Sequence, residues 1–293
     1  MLRDLALTVE HHEDGTSVGR LPVADALLDG HGRVRAGILA TLVDAIGGGL
    51  AAYAAAPGWI ATADLDLQLS GAPTEVAAID AVGRVLRAGR STVVLAVDLF
   101  AGPAPLGLAT MTFAVLPRRA SNPVMPADRA TGPQSFISGR ASGFSGPALD
   151  AFGVRTVDAA GGHVELEPHP YVENSLGAVQ GGVVATVVER AAEVALSHAA
   201  GRPLQPVGVQ LTYLALAREG PIRSSVEVLG IARPAIDGLG NEPRWGSARV
   251  TLVDEGANRR TTIGRVVATR PIKRSVQERS VQERSVKEPH GDR

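Results

Sequence analysis

Two stretches of this chain, 145 positions apart, are versions of one 16-residue pattern. Asp29 to Asp44 reads DGHGRVRAGILATLVD, and Asn174 to Glu189 reads NSLGAVQGGVVATVVE. Gly32 aligns with Gly177, Gly37 with Gly182, and Ala40-Thr41 with Ala185-Thr186. A carboxylate closes both copies. A self-similar pattern at fixed separation reports a duplicated unit, so any fold proposed for one half must serve the other. The two carboxylates then occupy equivalent places.

Length and composition agree with two units. A chain of 293 residues suits about two domains of ordinary size. The repeats are expected over 1–117 and 148–272, with a linker over 118–147 and a solvated tail over 273–293. The linker is rich in Ser, Gly, Pro, Ala and Arg and lacks periodicity. The tail repeats a five-residue unit, RSVQE twice and then RSVKE, which matches neither helix nor strand burial. Net charge is −1 and aromatics are 3%, which argues against a nucleic-acid partner or an anionic membrane surface. The absence of cysteine removes thiolate chemistry, disulfides and cysteine metal sites, and fits a cytoplasmic setting. The start, MLRDLALTVEHHEDG, has early acidic residues and no long apolar run, unlike a secretory signal. Ala36 to Ala56 is long enough to span a bilayer, but Asp44 lies in its middle, so a buried soluble helix is expected.

Each half shows one order of elements. Short alternating segments flank a turn: Leu5–His11 and Ser17–Val23 around Asp14-Gly15, then Gly153–Asp158 and His163–Pro168 around Gly161-Gly162. A Gly-containing loop leads into one long helix rich in small residues, over about 36–56 and 181–200. Four strands follow in each half: Trp59–Leu69, Val76–Leu86, Ser91–Leu99 and Leu108–Val115, then Val207–Leu214, Ile222–Leu229, Arg244–Val253 and Thr261–Thr269. This predicts an α+β fold of two antiparallel sheets, each wrapped around one central helix.

The stretch NSLGAVQGGVVATVVE resembles the signature of hotdog-fold acyl-CoA thioesterases of the phenylacetic-acid-degradation type. Their pattern is Asn-x-x-Gly-x-x-His-Gly-Gly, followed by an apolar helix carrying Asp or Glu. Asn174, Gly177, Gly181, Gly182 and Glu189 match it, and Gln180 replaces the His. The first copy keeps Gly32, Gly37 and Asp44 and departs at Asp29, Arg35 and Ala36. The run GRVLRAGRSTVVLAVDLF also resembles the family's strand-turn-strand after the helix. The resemblance implies a double hotdog, an intrachain pseudo-dimer with two sites where the units meet. It implies hydrolysis of an acyl-CoA or carrier-protein thioester by water, without metal or other cofactor. A homodimer of such fused chains is an assembly it allows.

Spacing decides how the residues combine. Asp44 and Glu189 each lie eight residues beyond Ala36 and Gly181, about 12 Å along a helix axis. A reacting carbon must sit near both the attacking group and the oxyanion donors. Each carboxylate must therefore work with the helix start of the other repeat. Site one combines Asp44 with Asn174 and the N–H of Gly181. Site two combines Glu189 with Asp29 and the N–H of Ala36, with Glu193 adding an acid where the first repeat has Gly48. Asp29 is expected to repel Glu189 or raise its pKa, and Arg35 and Arg190 to compensate. Site one is thus expected to be catalytic and site two degenerate. Gly37, Gln180, Gly182 and Gly48 are expected along the bound substrate. For Asn174 a purely structural role in the loop, and for Gly181 and Gly182 one in packing, is the competing expectation.

Other motifs carry less. Gly15-Thr-Ser17-Val-Gly19 has the spacing of a nucleophile elbow but sits in a hairpin rather than between strand and helix. Gly30-His31-Gly32 lacks a dinucleotide-binding context. The seven histidines show no metal-ligand spacing. A non-catalytic acyl-CoA-binding protein is the main rival reading. A hydratase or dehydratase is weaker, because Asp25 is followed by Gly30 where that chemistry wants His.

Overall fold

The computed structural model describes residues 1–70, 76–120, 132–135, 143–232 and 244–271. The tail expected over 273–293 and most of the expected linker lie outside them.

The first half opens with the hairpin β1 (Thr8–His11) and β2 (Ser17–Pro22), followed by a short 3-10 turn at Asp25–Leu27. Helix α1 (Ala36–Ala55) comes next, then β3 (Trp59–Leu69), β4 (Ala78–Ala88), β5 (Thr92–Ala101) and β6 (Ala104–Leu116). Part of the expected linker forms an edge strand, β7 (Gly132–Ser135), paired with β1. The second half begins with a one-turn helix α2 (Ala148–Phe152), which the sequence pattern did not announce. It continues with β8 (Arg155–Asp158), β9 (His163–Leu166), helix α3 (Gly181–Ala200), β10 (Gln205–Tyr213), β11 (Ile222–Ala232), β12 (Trp245–Asp254) and β13 (Arg259–Thr269). Gly201, at φ 65°, stops α3 in the left-handed conformation that glycine adopts without strain. Pro57 follows α1 and, lacking an N–H, cannot extend it.

The two expected sheets join edge to edge. Among the described residues all strands join one 13-stranded antiparallel sheet, in the order β7-β1-β2-β4-β5-β6-β3-β10-β13-β12-β11-β9-β8. The reason lies at its centre. β3 and β10 would each present an unpaired edge to water, and they satisfy one another instead. Leu65 pairs with Leu211 and Leu67 with Val209, so the register is symmetric about Asp66–Gln210. Both strands bulge at the same distance from that centre, at Ala63 between Thr62 and Asp64 and at Val207 between Pro206 and Gly208.

The helices occupy the inner face. α1 is long and apolar enough to cross a bilayer, yet 67% of its most apolar stretch is buried within the protein. Its buried side chains, including Ile38, Leu39, Leu42, Val43 and Ile46, pack in one core with Val183, Val184, Val187 and Val188 of α3. The repeat itself explains how the helices meet. A Cβ on Gly37 would overlap the backbone of Thr186, and a Cβ on Gly182 would overlap the Cα of Thr41. Thr41 and Thr186 turn their hydroxyls inward along their own helices, onto the carbonyls of Gly37 and Gly182 at 3.0 and 2.9 Å. Each hydroxyl is therefore satisfied although both threonines are fully buried.

The crossing leaves no room for a methyl group. Gly182→Ala is expected to cost about 1–3 kcal/mol or more through overpacking, read as a lowered midpoint in urea denaturation. Gly30→Ala, where an added Cβ meets nothing within 4 Å, is the control.

Candidate active site

The crossing brings each helix carboxylate to the start of the other helix. Asp44, on α1, accepts a hydrogen bond from the Thr62 hydroxyl at 2.9 Å and from the Gln180 side-chain amide at 2.7 Å. Its carboxylate lies against Gly181, where an added Cβ would approach Asp44 Oδ2 to 3.0 Å. Tyr213, from the end of β10, donates its hydroxyl to the Gly181 carbonyl at 2.9 Å. Gln180 also caps α3, its Oε1 accepting from Gly182 and Val183 at 2.8 and 3.1 Å. One helix-start donor remains. Among the described residues, the Gly181 N–H has no acceptor.

Burial raises the Asp44 pKa to about 6, the Thr62 hydrogen bond opposing it. The residue nevertheless keeps part of its surface open to solvent. Gly48, one turn further along α1, is also half-exposed, and an added Cβ there meets nothing within 4 Å.

The second crossing is closed. Glu189 is 3% exposed and accepts both free N–H groups at the start of α1, Ala36 at 3.0 Å and Gly37 at 2.9 Å. Glutamate has one methylene more than aspartate, and that reach turns the equivalent carboxylate into a cap for the opposite helix. Arg35 lies 3.9 Å from Glu189 and 3.1 Å from Glu193, and Arg190 reaches Glu193 at 3.1 Å. Burial pushes the Glu189 pKa up to about 7, against Arg35 and the two backbone donors and with Glu193 adding to the rise. Burial also opposes the charge on Arg35, but Glu189 and Glu193 outweigh it and raise the Arg35 pKa.

Asn174 and Asp29 both turn a side-chain oxygen back onto their own loop. Each shapes the loop before its helix. Asn174 Oδ1 accepts the N–H of Leu176 at 2.9 Å and Ala178 at 3.3 Å, and Asp29 Oδ1 accepts those of His31 and Arg33 at 2.7 and 3.0 Å. Asp29 also accepts from Gln205 at 2.9 Å and is not among the charges that shift Glu189. Gly37 and Gly182 stand at the helix crossing. Ser17 of the elbow-like motif is fully buried, hydrogen-bonded to His11 at 2.7 Å. Among the described residues no cluster of His, Asp and Glu could hold a metal.

Thr62 and Tyr213 escaped the sequence reading. Simple alternation from Leu65 and Leu67 puts Thr62 on the outer face. The bulge at Ala63 re-aims it, so that Thr62 pairs with buried Phe113 and faces the helix. Counting outward from the symmetric pair Asp66–Gln210, Thr62 corresponds to Pro206 and Tyr213 to Leu69. Neither counterpart has a hydroxyl. The repeat, aligned through the strands, carried that difference.

Two stability effects follow. Glu189→Ala uncaps α1 and strips Arg35 of a buried partner, an expected loss of about 3–5 kcal/mol by chemical denaturation. Asp44→Asn is expected to stabilise. Because the folded pKa of about 6 lies above the ordinary 3.8, the ionised form costs up to about 3 kcal/mol at neutral pH. That cost is complete above about pH 6 and absent below about pH 4. The advantage of Asp44→Asn should therefore shrink as pH falls through this window in paired melting curves.

No protein-family model and no curated protein sequence matches the chain. Solved structures do. A protein of unknown function with a hot dog fold from Alicyclobacillus acidocaldarius is 14% identical, with a TM-score of 0.57 over 92% of this chain and 98% of its own. An acyl-ACP thioesterase from Bacteroides thetaiotaomicron is 11% identical, with a TM-score of 0.55 over 87% and 98%. The tesB protein of Mycobacterium avium subspecies paratuberculosis is 13% identical, with a TM-score of 0.54 over 90% and 96%. At such identities the likeness speaks for architecture, and the architecture is the hot dog fold.

Proposed function

We propose that this chain is a double hot dog hydrolase of acyl-CoA thioesters, with one working site at Asp44. The observation that carries the reading is the juxtaposition at the first crossing, where a partly accessible carboxylate with a raised pKa lies beside a helix-start N–H that lacks an acceptor among the described residues. The internal repeat and the symmetric sheet centre support two fused units. The likeness to a protein described as an acyl-ACP thioesterase supports thioester chemistry.

In this reading the thioester oxygen takes the Gly181 N–H, at the positive end of α3. Gln180 holds the next two N–H groups on its Oε1, so the donor left for substrate is the one beside Asp44. Ionised Asp44 removes a proton from water as that water attacks the carbonyl carbon. Collapse of the tetrahedral intermediate breaks the carbon–sulfur bond, and the departing thiolate recovers the proton from Asp44. Direct attack by Asp44 to form an anhydride, later hydrolysed by water, balances equally well. Thr62 and Gln180 hold the carboxylate in either case.

The two crossings predict opposite responses. Asp44→Asn should lower kcat for acyl-CoA hydrolysis by about 100-fold or more, as expected for loss of a general base or nucleophile. Glu189→Gln should leave most activity in the fraction that stays folded. Release of free thiol measures both, and the reverse pattern rejects the assignment. Activity requires ionised Asp44, so kcat/KM should fall as pH drops through about 6.

A further inference from the structure

We propose that Tyr213 is a positioning residue of the site: its hydroxyl pins Gly181, and so aims the Gly181 N–H at the oxygen of the bound thioester. The inference rests on the thioester reading above and adds the group that holds its oxyanion donor in place.

The need for such a group begins with Asp44. A Cβ on residue 181 would lie 3.0, 3.3 and 3.4 Å from Oδ2, Cγ and Oδ1 of the Asp44 carboxyl. A side chain there would crowd the carboxylate, so the donor beside it is carried by glycine. Glycine has the loosest backbone of any residue, whereas an oxyanion donor acts through being fixed in advance. Gln180 spends its Oε1 on the N–H groups of Gly182 and Val183, one and two residues further on. Among the described residues, Tyr213 is the one side chain hydrogen-bonded to Gly181, donating to its carbonyl oxygen at 2.9 Å. That bond ties the first residue of α3 to the sheet.

The sheet holds Tyr213 in turn. It ends β10 and pairs with Thr262 of β13. The residue before it, Thr212, pairs with Asp64 across the central seam and donates its hydroxyl to that carboxylate at 2.8 Å. One step past this pair, β3 bulges at Ala63 and turns Thr62 towards Asp44. The seam thus carries two hydroxyls, one from each repeat. Thr62 holds the carboxylate, and Tyr213 holds the donor beside it. Burial, and then the charge of Asp44, push the Tyr213 pKa well above its ordinary value. The hydroxyl therefore keeps its proton, and its bond to Gly181, across the range in which Asp44 ionises.

The second crossing shows a helix start that needs no tyrosine. Ala36, which has a side chain, stands there in place of Gly181, and Leu69, which has no hydroxyl, in place of Tyr213. The Ala36 N–H is held by Glu189 itself at 3.0 Å. A helix start bonded to a carboxylate is already fixed. One kept for substrate has to be fixed from behind, through its carbonyl.

Tyr213→Phe keeps the ring and removes the hydroxyl. The intact wild-type chain, Tyr213→Phe and Asp44→Asn are compared on acetyl-, octanoyl- and benzoyl-CoA and on the matching dithioesters, in which sulfur replaces the carbonyl oxygen. Release of CoA is followed by chromatography, and melting curves confirm folding. Tyr213→Phe should lose about tenfold in kcat, keep KM within about twofold, and keep the pH at which kcat/KM falls. It should also discriminate less between oxygen and sulfur. Sulfur is the weaker hydrogen-bond acceptor, so the rate lost on going from thioester to dithioester reports how well the Gly181 N–H is aimed. That ratio does not depend on how much of the enzyme is folded. An undiminished kcat overturns the proposal. So does a rate loss that leaves the oxygen-to-sulfur ratio at its wild-type value, which marks a structural role alone. Loss of hydrolysis in Asp44→Asn beside an unaffected Tyr213→Phe rejects the anchor and keeps the hydrolase, whereas a wild type that hydrolyses no thioester rejects both.

Discussion

Everything in this molecule depends on two helices touching backbone to backbone. Gly37 against Thr186 and Gly182 against Thr41 form one contact made twice, related by the symmetry of the duplication. A side chain at either glycine would push the helix starts away from the opposing carboxylates. The distances that bring Asp44 to Gly181 and Glu189 to Ala36 and Gly37 exist only because this crossing is close. The sheet enforces the same relation from outside. Its two halves join through β3 and β10 in a register symmetric about Asp66 and Gln210. Inner crossing and outer seam therefore lock the two units in one orientation.

Within that symmetric frame, small differences in side-chain length and chemistry produce unequal surroundings. Asp44 stops short of the facing helix start and accepts from Thr62 and Gln180. Glu189 reaches the facing helix start and is consumed by it. Thr62 and Tyr213 have hydroxyls where Pro206 and Leu69 have none. Gln180 caps its own helix, whereas Arg35 makes no side-chain cap and leaves that task to Glu189. One crossing keeps a partly accessible carboxylate beside an N–H that has no acceptor among the described residues. The other is a desolvated ion-pair network, whose favourable Coulomb energy mainly offsets the cost of burying its charges.

Much of this was written in the sequence. The aligned stretches disclosed the duplication, and the helix-length argument paired each carboxylate with the opposite helix start. Gln205, Trp59 and Gly181 stand at or near the boundaries that alternation and turn residues indicated. What the sequence hid has local physical causes. A bulge reverses the facing of Thr62, and bulges leave no composition signal. The loop role of Asp29, unlike that of Asn174, was not among the expectations, because it depends on a side-chain oxygen folding back onto nearby N–H groups, a choice that residue type permits but does not decide. The joining of two sheets into one depends on which edges meet, and alternation within a strand is silent on its neighbours. The edge strand β7 lies in a stretch whose composition reads as linker.

The cap at Glu189 ties the cohesion of the two units to the length of one side chain. Lengthening a carboxylate there by one carbon bonds two N–H groups and gives buried Arg35 a partner. Shortening it by one carbon would leave those groups unsatisfied, so the folded chain resists that change. Arg190 and Glu193 raise the barrier further, because each now leans on the others. A duplicated domain can in this way trade accessible chemistry for cohesion through one substitution.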